Sequence, residues 1–381
     1  LYRVRTAEIV LPAIQRDFVW PQYKILRLLD SIMRGYPIGT AVLWESYDDI
    51  QYRTFIKDFE PDVIHRYQDN PQKRKLNLVL DGQQRIQSLF AGLYGTFDGR
   101  SLYFDVMSGM EFDDVSHEKF LFTFSTPEEA EDFNAQVVEE LDDLPDKTSK
   151  YMVYPYFIKV SDLLAIGDGE RGPLVSQLTN LLSLTDEEQL RLDTNLRTFE
   201  ENFKKDENLL KLSVVDENFE SGSPKRKSES DVLEIFVRIN WAGTARSRSD
   251  LIFSMIKLNW KESAQALPDF LSAVNEDNSF VLDTDFVIRC LFAVADLGTK
   301  FDVDILRSKS NLAKIRANFQ RCCDAIMGAV EFVKRHCWLS SGRVLGGANA
   351  FIPFVYYLYH TSGQRFSQDQ IEDARKALFL F

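Results

Sequence analysis

Residues 76–95 read LNLVLDGQQRIQSLFAGLYG, two largely apolar runs of different period joined by a polar turn. Leu76 to Leu80 have the length and composition of a short buried strand, whereas Ile86, Leu89, Phe90 and Leu93 recur at helical spacing and Gly95 closes the segment. The stretch therefore predicts a strand, a tight turn and a helix. A helix that opens straight from a strand leaves first-turn N–H groups unpaired and pointing to one place. Together with the helix dipole they favour an anion such as phosphate. Gly82 removes a Cβ at the turn, and Arg85 offers a planar fork of donors suited to phosphate oxygens. Gln83 and Gln84 could contact phosphate or base without adding charge. A plainer reading stands beside this one. Asp81 as N-cap with Gln84 three residues later makes a capping box, and Arg85 could bridge to a neighbouring carboxylate.

Working outward, EIVLP (residues 8–12) reads as a strand followed by the polar triplet Gln15-Arg16-Asp17. In PQYKILRLLDSIMRGYPIG, Ile25, Leu28, Leu29, Ile32 and Met33 mark a helix, with Pro21 suited to its first turn and Gly35 to its stop. TAVLWES then reads as a strand. RSLYFDV, KFLFTF and the region near Tyr151 to Val160 add further strands, residues 161–208 look helical, and NLLKLSVVD reads as one more strand. Glu217 to Ser230 form a polar loop before the helix candidate DVLEIFVRIN, and Ser247 with Asp250 has capping-box spacing. From about Lys261 to Phe381 the pattern is mostly helical. The expected class is α+β: a mixed domain over residues 1–256 with a helical insertion near 161–208, then a helical domain over 257–381.

The 381 residues include 45% hydrophobic and 13% aromatic side chains, which fits a chain with large packed cores rather than a disordered one. No run approaches the length of a membrane span, nothing at the N-terminus resembles a signal peptide, and the cytoplasm is the expected location. A net charge of −13 argues against coating nucleic acid by charge alone, although local basic pieces occur at Lys73-Arg74-Lys75, Lys225-Arg226-Lys227 and Arg246 with Arg248. Cys290, Cys322, Cys323 and Cys337 lack zinc or redox spacing, and His65, His117, His336 and His360 form no metal-binding pair. There is no Walker A loop and no GxSxG elbow. Asp81 and Asp250 are the carboxylates to consider as Mg²⁺ contacts, with N-capping the competing role for both.

Two further polar sets sit at element ends: Gln15-Arg16 ahead of the first helix, and Arg238 with Asn240 at the end of DVLEIFVRIN. LPAIQRDFVW, GYPIGTAVLW, LVLDGQQRIQSL and IFVRINWAGTARSRSDLIFS, in that order, resemble the N-terminal domain family of the GmrSD-type modification-dependent restriction enzymes, which is related to the ParB/sulfiredoxin-like fold. The resemblance covers roughly Glu8 to Asn259. It implies a domain whose DGQQR motif binds and turns over nucleoside triphosphates with Mg²⁺. Carried onto this chain, that assigns Asp81, Gly82, Gln83, Gln84 and Arg85 to the nucleotide site, Asp81 and Arg85 in the catalytic roles. Gln15 and Arg16 match a second motif of the same cleft or of a DNA-sensing surface, and Arg238, Asn240 and Asp250 match a third. Trp241 and Ala245-Arg246 depart from the family pattern. The implied partners are modified DNA and an HNH nuclease, C-terminal or separate, since no HNH-like histidine cluster precedes Phe381; self-association is allowed for. The alternative is a ParB-like module that binds nucleotide or DNA without turnover.

Overall fold

The computed structural model describes the chain except Arg16 and residues 61–66, 110–117, 143–153, 168, 206–209, 218, 242–252, 254–255, 258–259, 261, 277–279, 299–304, 306–307, 340–346 and 379–381. The side chains at 142, 229, 230, 233, 240, 241, 264 and 309 also lie outside the description. Two compact units result. One comprises Leu1–Leu11, Asp17–Asp48 and Tyr52–Pro224, and the other Pro12–Arg16, Asp49–Gln51 and Lys225–Phe381.

The strands are β1 (Ile9–Pro12), β2 (Thr40–Ser46), β3 (Tyr52–Arg53), β4 (Asp58–Phe59), β5 (Leu76–Asp81), β6 (Thr96–Phe97), β7 (Ser101–Asp105), β8 (Phe122–Ser125), β9 (Phe157–Lys159) and β10 (Lys211–Val215). A mixed five-stranded sheet runs β10-β2-β5-β1-β3, with β5 at its centre. β5 lies parallel to β1, with Ile9 opposite Asn77, and antiparallel to β2, with Leu43 opposite Val79. Burial of Leu76 through Leu80 explains why this strand is a near-continuous apolar run rather than an alternating one. A three-stranded sheet, β8-β7-β9, and the short pair β4-β6 complete the β-structure.

Ahead of the sheet's central turn come α1 (Tyr2–Arg5) and α2 (Gln22–Met33), and after it α3 (Gln83–Tyr94). α2 follows the expected spacing, with Pro21 at the N-cap and Gly35 in the left-handed conformation (φ 68°) just past its end. α3 is more deeply set than a one-faced helix. Ile86 and Phe90 join the core of the large sheet, while Leu89 and Leu93 join a second core with Leu102, Phe104 and Phe124. Packing on both sides fixes the start of α3 firmly in the unit. α4 (Pro127–Asp142) was not among the expected helices, although Thr126 and Glu129 cap its start reciprocally. α5 (Val160–Ala165), α6 (Arg171–Leu181) and α7 (Asp186–Phe199) follow between β9 and β10.

Asp105, at the end of β7, is buried and its Oδ1 accepts from the N–H groups of Met107 and Tyr156, both at 3.0 Å. Burial nevertheless outweighs these bonds and pushes its carboxyl up to about 6. The folded state therefore holds this proton more tightly than the unfolded chain. Its contribution to stability is present below about pH 4 and is lost as pH rises through about 6. Asp105→Asn keeps an accepting oxygen and lacks this dependence. Urea melts from pH 4 to 7 are expected to show wild type losing on the order of 2 kcal/mol relative to the variant. Parallel curves would contradict the assignment.

The second unit is helical: α8 (Glu229–Trp241), α9 (Ser263–Asn275), α10 (Thr284–Val294), α11 (Lys309–His336), α12 (Ile352–His360) and α13 (Gln368–Leu378). Its core gathers Phe286, Phe292, Ile315, Ile326, Val333, Phe351 and Leu358 with all four cysteines, which are unbridged thiols. Burial pushes each thiol up, so they behave as small apolar groups. The architecture is α+β, with a mixed-sheet part followed by a helical one. Among the described residues no helix is long and apolar enough to cross a membrane.

Candidate functional site

The turn from β5 into α3 is made by Gly82, left-handed at φ 89°. Gly82, not Asp81, holds the N-cap position, and no side chain caps the helix. The capping box expected of Asp81 and Gln84 is therefore absent, because Asp81 is still the last residue of β5. Gly82 is required for a further reason. A Cβ there would come within 2.8 Å of Ala41 Cβ and 3.1 Å of Ala41 Cα on β2, so its missing side chain lets strand and turn close together rather than clearing space for a ligand.

Two polar side chains that follow, Gln84 and Arg85, hold neighbouring backbone in place. Gln84 reaches back to the segment before α2: its Oε1 accepts from Val19 N (3.0 Å) and Trp20 N (3.2 Å), and its Nε2 donates to Asp17 O (3.1 Å). Arg85 turns the other way. Its Nη1 donates to Ile38 O (2.6 Å), its Nη2 donates to Thr40 O (2.9 Å), and Nη2 lies 3.5 Å from Asp81 Oδ2. The carbonyls it grips flank Gly39, which is itself left-handed at φ 94° and where any Cβ would meet the guanidinium. The start of α3 is thus framed by FVW on one side and PIGT on the other. Three of the motif stretches found in the sequence converge on this turn.

Gly82 and Gln83 are buried, whereas Asp81, Gln84 and Arg85 are half-buried. Nearby, Asp17 Oδ1 pairs with Arg53 Nη1 at 3.1 Å, Arg53 being fully buried and Asp17 largely exposed. The two arginines each have a carboxylate beside them, so net side-chain charge around the turn is close to neutral. The positive end of the helix is left as the distinctive electrostatic feature.

Sequence reasoning missed two contributors. Gln87, one turn into α3, clasps the backbone of Ile56 at both ends, Oε1 accepting from its N–H (3.1 Å) and Nε2 donating to its carbonyl (2.6 Å). Arg53 was missed as well. A polar residue inside the apolar run RIQSLF was the available signal for Gln87; nothing local marked Arg53.

Two of the remaining expected site residues are described, and both fall in the second unit. Gln15 is fully buried, in the Pro12–Arg16 segment of the second unit. Arg238, also in that unit, is exposed and pairs with Glu234 one turn earlier on α8. Arg16, Asp250 and the side chain of Asn240 lie outside the described residues, as does the Ser247–Asp250 capping box. Among the described residues no group of three or more His, Cys, Asp or Glu could hold a metal ion. Within the DGQQR stretch Asp81 offers a half-buried carboxylate, with Asp17, paired to Arg53, nearby.

Comparison with known proteins gives this geometry a context. An uncharacterized protein of Methanocaldococcus jannaschii is 34% identical over 92 residues, a match covering 23% of this chain and 15% of that protein. The match thus spans about one seventh of the relative's length. The family model for the GmrSD restriction endonuclease N-terminal domain matches residues 1–257, which include the whole of the β5–α3 turn and α8. On that match, covering well over half of the sequence, the chain belongs to the GmrSD restriction endonuclease N-terminal domain family.

Proposed function

We propose that the chain is the nucleotide-dependent sensor of a modification-dependent DNA restriction system: a nucleoside triphosphatase that answers to modified DNA and gates an HNH nuclease. The observation that carries this reading is the turn at Asp81–Arg85, where a buried strand opens into a helix whose start no side chain caps. Family membership supplies the restriction setting.

In this reading the phosphates sit against the first-turn N–H groups of α3, where the helix dipole is positive. Arg85 holds the Ile38–Thr40 carbonyls in place and lends charge from the side, so the site is pre-organised before a phosphoryl group arrives. Gln84 fixes the Asp17–Trp20 backbone as the opposite wall. Asp81 is the protein carboxylate for Mg²⁺. One carboxylate suits an ion that takes its other ligands from water and phosphate, and when bound the ion would neutralise charge on the phosphate oxygens. Side chains of Gln15, Arg16, Arg238, Asn240 and Asp250 belong to the wider proposal through the motifs they match, and self-association belongs to it as well.

A second reading has its own support. Arg85 already has two carbonyls and a carboxylate around it, an arrangement suited to a module that binds nucleotide without turnover. Phosphate release by the purified chain separates the two, measured with each common triphosphate, Mg²⁺, and plain or modified duplex. The leading reading expects Mg²⁺-dependent release that changes with modified DNA. Tight triphosphate binding with no release under any DNA condition would establish the second, and no triphosphate binding would overturn both.

A further inference from the structure

The helical unit carries an exposed aromatic residue, just past the end of α11, that the fold does not explain. α11 ends at His336, with Cys337 as its cap, and the chain reverses through Trp338 in the left-handed conformation (φ 53°) before Leu339 N–H bonds to Val333 O at 3.3 Å. A left-handed stop just past a helix is the place where glycine is favoured, because a Cβ there crowds the following carbonyl. A bulky indole bears that strain and gains no compensating burial, since Trp338 is 74% exposed. Strain held at an exposed aromatic points to use by a ligand.

The surroundings indicate which ligand. The guanidinium carbon of Arg375, on α13, lies 4.9 Å from the centroid of the Trp338 ring and backs one side of it. The last turn of α11 contributes Lys334 and Arg335, and the last turn of α13 contributes Lys376 beside Arg375. Glu331 is shared by two arginines, Arg335 at 3.1 Å and Arg365 at 3.8 Å. Arg375 Nη1 pairs with Glu372 Oε2 at 3.3 Å, so five cations, Lys334, Arg335, Arg365, Arg375 and Lys376, stand with Glu331 and Glu372, and the rim keeps an excess of positive charge within a chain whose net charge is −13. A protein-docking face would be a contiguous apolar patch, whereas one stacked aromatic in a cationic rim suits the flat face of a nucleobase and its phosphates.

We propose that Trp338, backed by Arg375, is a stacking platform for an unpaired base of a DNA strand, with Lys334, Arg335 and Lys376 supplying charge for its phosphates. The platform uses none of the residues of the β5–α3 turn and does not rest on nucleotide turnover there.

Fluorescence anisotropy of a labelled single-stranded oligodeoxynucleotide, titrated with the full 381-residue chain, tests it. Trp338→Gly suits the left-handed position, so it is expected to melt no lower than wild type while binding the strand about tenfold more weakly, the loss of one stacked base. Trp338→Phe is expected to stay within about threefold of wild type. Equal affinity in wild type and Trp338→Gly would overturn the proposal. So would a lower melting temperature for that variant, wild-type binding to duplex as tight as to single strand, or a self-association of the free protein that Trp338→Gly abolishes.

Discussion

Arg85→Ala is expected to cost about 2–4 kcal/mol of stability and to weaken triphosphate binding by at least about tenfold. The stability cost follows from what the guanidinium holds. Ile38 O and Thr40 O each accept a charge-assisted bond from it, at 2.6 and 2.9 Å, and alanine leaves the part-buried Ile38 carbonyl without its donor while the exposed Thr40 carbonyl turns to water. The binding cost follows because the same bonds keep the Gly39 turn beside the start of α3. Arg85→Lys separates the two effects. An ammonium keeps the charge but lacks a fork that spans two carbonyls, so it is expected to restore only part of either property. Urea titration and equilibrium dialysis of the variants measure both quantities. An Arg85→Ala protein with unchanged stability and unchanged triphosphate affinity would remove Arg85 from the site.

Gly82→Ala is expected to be comparably damaging although it adds a single methyl group. An L-residue at φ 89° is strained by about 1–2 kcal/mol. The new Cβ would also lie 2.8 Å from Ala41 Cβ and 3.1 Å from Ala41 Cα, and Ala41 is fully buried in the sheet. Backbone must shift to relieve a contact of that kind. The expected total is roughly 2–4 kcal/mol, with the first turn of α3 displaced and triphosphate affinity reduced alongside stability. A variant with wild-type denaturation midpoint and wild-type affinity would refute the close approach of β2 to the turn.

The elements around the site were legible because they are local. Ile25, Leu28, Leu29, Ile32 and Met33 announce α2 by spacing, and all five are buried. Leu76 to Leu80 announce β5 by being apolar without alternation. β4 and β6 were not legible, since a two-residue strand has no period to read. α4 was overlooked despite a capping signal at Thr126 and Glu129. The deeper shortfall concerns partners distant in sequence. Asp81 looked like a cap until β5 was seen to include it, and the meaning of Gly82 depended on Ala41, on another strand. Gln84 and Arg85 looked like ligand donors, and their bonds to Asp17, Val19, Trp20, Ile38 and Thr40 follow only from the folded chain. Side chains in a DGQQR turn can build the walls of a site whose floor is backbone.

A crystal structure of the chain with Mg²⁺ and a non-hydrolysable nucleoside triphosphate tests that account most directly. It predicts phosphate density within hydrogen-bonding reach of the first-turn N–H groups of α3, with Arg85 still bonded to Ile38 O and Thr40 O. Triphosphate bound elsewhere while the start of α3 stays empty would contradict it.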